Sequence, residues 1–285
     1  RMARKRYKYS FTKKKHTKTN FPVQTSEFFG GNMKDVTEFE CESCSNEPKD
    51  KINLARFFAK LDEIFSRGDL AAAGRLIEYW ERDARSIGDE NGLLYVLNEE
   101  TGYFRRTGEK EKGLAAVEEA LALAEKLGIC ETVSGATVII NCATTMKAFG
   151  EAEKALPLYE KARAVYESSL DGSDFLLAAF YNNFALSLAD VGRGKEAEEM
   201  FFLAIGTLKK CGGHEGEIAV SYVNLAQLYY SIGESEKIPA VLEKGWENLM
   251  SPALPHDGNY AFICSKCAPA YRDFGQNKRA ETLFA

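Results

Sequence analysis

The sequence lacks the features that would assign it to several common classes of protein. No apolar run approaches the roughly 18 residues that a membrane-spanning helix needs, and no secretory signal follows the basic N-terminus. We therefore expect a cytoplasmic protein. Only three histidines are present, none in a nucleophile–base pattern, and the sequence has neither a phosphate-binding glycine loop nor a metal-binding His-x-x-x-His helix. These absences argue against an enzyme and against a cofactor.

The seven cysteines do not form a pattern that suggests disulfides. Their number is odd and no secretion signal is visible, so we expect free thiols. Cys41/Cys44 and Cys264/Cys267 have the spacing of metal ligands, but more than 200 residues separate the pairs and no histidine lies at a zinc-finger offset. We interpret Cys264 and Cys267 as core side chains and predict no metal site. Only the Cys41 pair, in a polar segment, stays ambiguous.

Charge is unevenly distributed along the chain. Residues 1–20 hold nine Lys or Arg and no acid. Since the net charge of the chain is −5, the remaining 265 residues carry a net charge of −14. This basic arm could contact nucleic acid or another anionic surface, but a solvated, disordered tail has the same composition. Residues 29–33 back-translate into a purine-rich ribosome-binding site a few bases before a start codon. We therefore also consider Met33 as the native start, with residues 1–32 a non-native leader.

Glycine recurs at a nearly fixed interval. Gly68, Gly108, Gly150, Gly192, Gly233 and Gly275 are 40, 42, 42, 41 and 42 residues apart, a period that indicates stacked repeats. The position seven residues before each glycine is small in most repeats, with Thr101, Ala143, Ala185, Ala226 and Ala268. The position nine residues after it is large and apolar: Ile77, Val117, Tyr159, Phe201, Leu242 and Phe284. Small and large residues at these positions allow two helices to pack closely.

Each repeat is predicted to be a helix, a tight turn at the repeat glycine and a second helix. The second helix of the second repeat has an apolar stripe, Leu114, Val117, Leu121 and Ala124, at helical spacing. A second glycine series should end the second helices in the left-handed conformation, at Gly88, Gly128, Gly172 and Gly212–Gly213. The pattern predicts six copies of one helical hairpin.

Residues 181–192 and 221–233 resemble the first helix of a tetratricopeptide repeat, and residues 195–205 resemble its second helix. The period of about 42 residues is similar to the long variant found in kinesin light chains and in bacterial peptide-sensing and transcription regulators. The resemblance covers residues 51–285 and is weakest in the first repeat, which has Leu61 and Trp80 where later repeats have small residues. Residues 1–50 are predicted to be disordered. Because no polar capping helix follows residue 285, we expect the native array to continue.

The resemblance implies an all-α, right-handed superhelical solenoid of about six antiparallel hairpins, with first helices lining a concave groove that binds a peptide. Asparagines line such grooves in the resembling proteins. The candidate residues here are Asn98, Asn141, Asn182, Asn183 and Asn224, with Arg105, Lys147, Tyr230 and Lys266 on the same helices. An amide can bond a peptide backbone, but it can equally bond a neighbouring helix and fix repeat stacking. The charged residues could pair with a ligand or simply be solvated.

The sequence therefore predicts a protein- or peptide-binding scaffold or adaptor. The alternatives are the peptide-sensing domain of a regulator, or a non-catalytic part of a larger enzyme. We expect a protein or peptide partner, no membrane contact, and nucleic acid only through the basic arm.

Overall fold

The computed structural model describes residues 50–256 and 258–284. The basic arm, Met33 and the Cys41/Cys44 pair lie outside the described residues, so the predictions made for them stay predictions. The described part of the chain is all helical and contains six helix pairs. The helices are α1 (Leu54–Ser66), α2 (Leu70–Ile87), α3 (Glu90–Thr107), α4 (Lys110–Lys126), α5 (Val133–Ala148), α6 (Ala152–Ser169), α7 (Phe175–Asp190), α8 (Gly194–Cys211), α9 (Glu215–Ser231), α10 (Ile238–Leu249), α11 (Gly258–Asp273) and α12 (Asn277–Phe284).

The turn inside each hairpin forms at the repeat glycine, as predicted. All six of these glycines have positive φ, from 70° at Gly68 to 86° at Gly150. This left-handed conformation is unfavourable for any residue with a Cβ. In the first hairpin the Asp69 side chain then accepts a hydrogen bond from the Ala72 amide and caps α2. The chain thus reverses direction within three residues.

The second glycine series has the expected positive φ at all but one position, although Gly212, with ψ of 148°, does not have the left-handed helical conformation. Gly88, Gly128, Gly212 and Gly213 have positive φ, but Gly172 does not. Helix α6 ends at Leu170, whose backbone is extended. Asp171 then accepts a hydrogen bond from the Ser173 amide, and Asp174 caps α7 through the Leu176 amide. Side-chain caps therefore make this turn, and a left-handed glycine is not needed.

The predicted core positions are buried in nearly every hairpin. The small residues before the repeat glycines, and the large ones after them through Leu242, are at most 2% exposed. Cys264 and Cys267 are buried, which confirms that they are core side chains. Trp80 is buried against Phe57, with 6.1 Å between the ring centroids, so the first hairpin forms with larger residues. Phe284, which holds the position of Leu242 in the sixth hairpin, is 62% exposed.

Candidate functional site

The first helices of neighbouring hairpins lie against one another. Helix α5 contacts both α3 and α7, and α9 contacts both α7 and α11. Each second helix packs between the two first helices that flank it in sequence, and contacts among the second helices are sparser. The first helices therefore form the inner, more closely spaced wall of the solenoid. We call the exposed side of α3, α5, α7, α9 and α11 the inner face.

Four of the five candidate asparagines bond one another across the inner face. Asn141 Nδ2 donates to Asn98 Oδ1 at 2.9 Å, which joins α5 to α3. Asn224 Nδ2 donates to Asn182 Oδ1 at 3.2 Å, which joins α9 to α7. Both acceptors are buried. Each pair joins one first helix to the preceding one, which is the contact that the stacking interpretation of these amides requires.

Asn183 differs from the other asparagines. It is 5% exposed, yet its amide has no hydrogen-bond partner among the described residues. In each bonded pair, one asparagine lies nine residues before its repeat glycine, and its partner lies ten residues before the glycine of the preceding repeat. Asn183 would therefore pair with Ile140, which has no polar side chain. Neither its amide nitrogen nor its amide oxygen is among the enclosed polar atoms that lack a partner. The Asn183 amide therefore reaches the surface of the inner face, between two bonded pairs.

Two of the candidate cations are more enclosed than a solvated surface charge would be. Arg105 Nη1 donates to Thr145 Oγ1 of α5 at 3.1 Å, while its Nε is buried without a partner. Burial lowers the pKa of Arg105 to about 10. Lys147 Nζ lies 3.4 Å from Asp190 Oδ2 of α7, and its side chain is only 11% exposed. Both cations therefore hold adjacent first helices together.

Glu99 is a further polar residue at this site that was not among the candidates. Its Oε1 accepts a hydrogen bond from Asn98 Nδ2 at 3.1 Å. Burial raises the pKa of the Glu99 carboxyl, and the negative charge of Asp62 raises it further. Glu99 lies nine residues before Gly108, the position that Asn141 and Asn183 occupy in their repeats. That shared position was the signal that could have identified it.

The remaining candidates lie toward the C-terminal end of the inner face. Tyr230 is 62% exposed, and its ring contacts Phe274 edge-on with 5.9 Å between centroids. Lys266 Nζ lies 5.0 Å from the centre of the Phe262 ring.

Among the described residues, no group of three or more His, Cys, Asp or Glu side chains could hold a metal ion. None of the helices from α1 to α12 is both long enough and apolar enough to span a bilayer.

Comparison with known proteins identifies the fold. The sequence matches no protein-family model, and no curated protein is significantly similar to it. Solved structures do match. BtubC (BKLC) from P. vanneervenii has a TM-score of 0.60 and 19% identity over 68% of this chain and 79% of that one. The apo form of RapI has a TM-score of 0.57 and 13% identity over 82% and 95%.

A third match is the putative kinesin light chain of Podosopora anserina with nearly identical TPR-like repeats, with a TM-score of 0.54 and 19% identity over 67% of this chain and 91% of that one. At these identities the likeness is one of fold. The chain is an α-solenoid of the tetratricopeptide repeat type, as the sequence predicted.

Proposed function

We propose that this protein is a non-catalytic scaffold that binds a peptide or protein segment along its inner face. The observation that carries the proposal is the Asn183 amide, which bonds no described residue and reaches the surface of the inner face in the middle of the row of first helices. A peptide backbone offers both an N–H and a C=O group, so it can satisfy the donor and the acceptor of one carboxamide. Because the Asn183 amide bonds no described residue, it can bond a ligand without first breaking a hydrogen bond inside the described part of the protein.

The neighbouring bonds support the same proposal. Asn98–Asn141 and Asn182–Asn224 hold the first helices in register, so the inner face is preorganised before a ligand arrives. Lys147 and Tyr230 lie on the same helices and would contact ligand side chains. We also propose a cytoplasmic location, since the sequence carries no visible secretion signal.

The experiment isolates Asn183 from the stacking pairs. Twelve-residue peptides are selected by phage display on the wild-type protein, and their dissociation constants are measured by fluorescence anisotropy. Asn183→Ala should weaken binding at least tenfold without changing helicity. Asn248→Ala is the matched control, because Asn248 lies on a second helix and bonds only the Lys244 carbonyl of its own helix at 2.7 Å. Equal affinity of wild type and Asn183→Ala would refute binding at the inner face.

A further inference from the structure

Gly102 is a glycine that neither the backbone nor the packing explains. It lies inside α3 and is absent from the positive-φ glycines. A Cβ there would have one neighbour within 4 Å, Arg105 Nη2 at 3.8 Å. By contrast, a Cβ on Gly113 would lie 2.5 Å from the Phe149 ring, and one on Gly216 would lie 2.0 Å from Ile263. A glycine in the middle of a helix weakens the helix relative to alanine. A glycine that neither positive φ nor close packing requires therefore suggests that another backbone approaches it closely.

Polar side chains surround Gly102 on both sides along α3. Residues three and four positions away are its neighbours on a helix surface, namely Asn98 and Glu99 before it and Arg105 and Arg106 after it. We call the space above Gly102, bordered by these four side chains, the Gly102 notch. Gly102 itself is buried, and Arg105 Nη2 lies 3.8 Å from where its Cβ would be, so the Arg105 side chain has to move when a ligand enters.

Adjacent helices complete the walls of the notch. Helix α1 contributes Phe65, whose ring centroid lies 4.2 Å from the Arg106 guanidinium carbon. Helix α5 contributes Thr145, which accepts the hydrogen bond from Arg105, and Asn141, which bonds Asn98. The notch is therefore a built feature held by three first helices.

The two charges on opposite sides of the notch are incompletely compensated. Glu99 forms no ion pair with any described residue, and its only hydrogen bond comes from Asn98. Arg105 likewise has no ion pair in the described part of the chain, and its buried Nε is unbonded. A ligand that brings a cation to the Glu99 side and an anion to the Arg105 side would satisfy both groups.

We propose that the Gly102 notch binds the main chain of an extended peptide segment in which a basic and an acidic residue are adjacent. This inference rests on the proposed function, because it places the peptide on the inner face. Adjacent side chains of an extended chain point to opposite sides. A segment crossing α3 at Gly102 would thus direct one charge toward Glu99 and the other toward Arg105 and Arg106. The seven residue steps from Glu99 to Arg106 cover about 10 Å along the helix axis, enough separation for two oppositely directed side chains.

The test uses fluorescein-labelled 11-residue peptides on an Ala/Ser/Thr background, with the wild-type protein and variants in solution. The central residues are Lys-Glu or Glu-Lys. The comparison peptides carry Lys-Ser-Glu, which places both charges on one side, or Lys-Lys, Glu-Glu or no charge. We expect one adjacent order to bind wild type at least tenfold more tightly than Lys-Ser-Glu. Gly102→Leu should remove that preference, and Arg105→Gln should weaken it.

The matched control is Gly206→Leu on the second helix α8, because Gly206 is likewise a helical glycine and a Cβ there meets nothing within 4 Å. This control should bind like wild type. Gly102→Ala, which fits beside Arg105, shows whether any loss comes from misfolding: it should raise the melting temperature while lowering affinity.

Different results overturn different proposals. Binding that depends on Asn183 but is unchanged in Gly102→Leu would refute the notch and leave the inner face as the binding site. Failure of every designed peptide, while display-selected peptides still bind through Asn183, would also refute the notch alone. Peptide binding that is insensitive to both Asn183→Ala and Gly102→Leu would refute both proposals.

Discussion

Asn182 and Asn183 are sequence neighbours whose amides have different surroundings, and their alanine variants should behave differently. Asn182 Oδ1 accepts hydrogen bonds from Asn224 Nδ2 at 3.2 Å and from Ser221 Oγ at 3.4 Å, whereas Asn183 bonds no described residue. We expect Asn182→Ala to lower the free energy of unfolding by about 1–2 kcal/mol, because it removes the acceptor that Asn224 uses. Asn183→Ala should change it by less than about 0.5 kcal/mol. Urea unfolding of both variants checks this, and an equal loss would contradict it.

Glu100 should make the stability of the protein depend on pH. Burial, together with the negative charges of Glu81 and Glu119, raises the pKa of the Glu100 carboxyl to about 7, although Arg85 opposes the shift. The folded state therefore holds a proton that the unfolded state releases near the ordinary pKa of a glutamate. This contribution to stability is complete at low pH and is lost as the pH rises to about 7.

Glu100→Gln should remove that dependence. We expect the variant to be more stable than wild type by about 1–2 kcal/mol at pH 8, and not at pH 4, where wild-type Glu100 is already neutral. Urea unfolding at both pH values measures the difference. Glu118→Gln on the exposed side of α4 is the control and should have no pH-dependent effect. A gain from Glu100→Gln that is equal at both pH values would exclude titration as its cause.

At the scale of the helices, the sequence predicted what depends on local backbone conformation. Each repeat glycine has the positive φ that the hairpin turn requires, so the turns could be located without coordinates. The pairing of the asparagines could not be predicted in this way. Asn141 bonds the residue ten before Gly108, one position away from its own place in the repeat. That offset depends on how adjacent helices are rotated, which only packing determines.

The partners of the enclosed cations also depend on how adjacent helices pack, so the sequence could not predict them. Arg105 and Lys147 share a position three residues before their repeat glycines, but Thr145 and Asp190, which bond them, come from different positions of the next hairpin. A sequence pattern within one repeat does not contain this information. Gly172 shows the converse, since local side-chain caps replaced a glycine that the spacing had suggested.

Helical glycines in this fold should divide into those that packing requires and those that it does not. A Cβ on Gly135 would lie 2.0 Å from the backbone oxygen of Ile129, which a side-chain movement cannot relieve. We expect Gly135→Ala to lower the free energy of unfolding by about 2 kcal/mol or more. Gly206→Ala should raise it by about 0.5–1 kcal/mol, because alanine is the better helix former and the space is free. Chemical denaturation of both variants tests the division, and a stabilised Gly135→Ala would contradict it.

The core of the whole molecule is divided, with α5 as the shared helix. Val138 and Cys142 of α5 pack in a smaller apolar cluster with α1–α4. Ile139 and Ala143 of the same helix pack in a larger cluster that extends to Leu283. In a solenoid each repeat is stabilised only by its neighbours, so regions with less buried apolar surface open at lower free energy.

We therefore predict that α1–α4 open as a unit before α6–α10 do. In hydrogen exchange followed by mass spectrometry, backbone amides of α1–α4 should exchange faster than those of α7 and α9. Asn98→Ala provides an internal test, because it removes the acceptor of the Asn141 bond between α3 and α5. That variant should speed exchange in α1–α4 further and leave α7 and α9 nearly unchanged. Exchange at one common rate throughout α1–α10, in wild type and variant alike, would instead mean that α5 couples both clusters into a single cooperative unit.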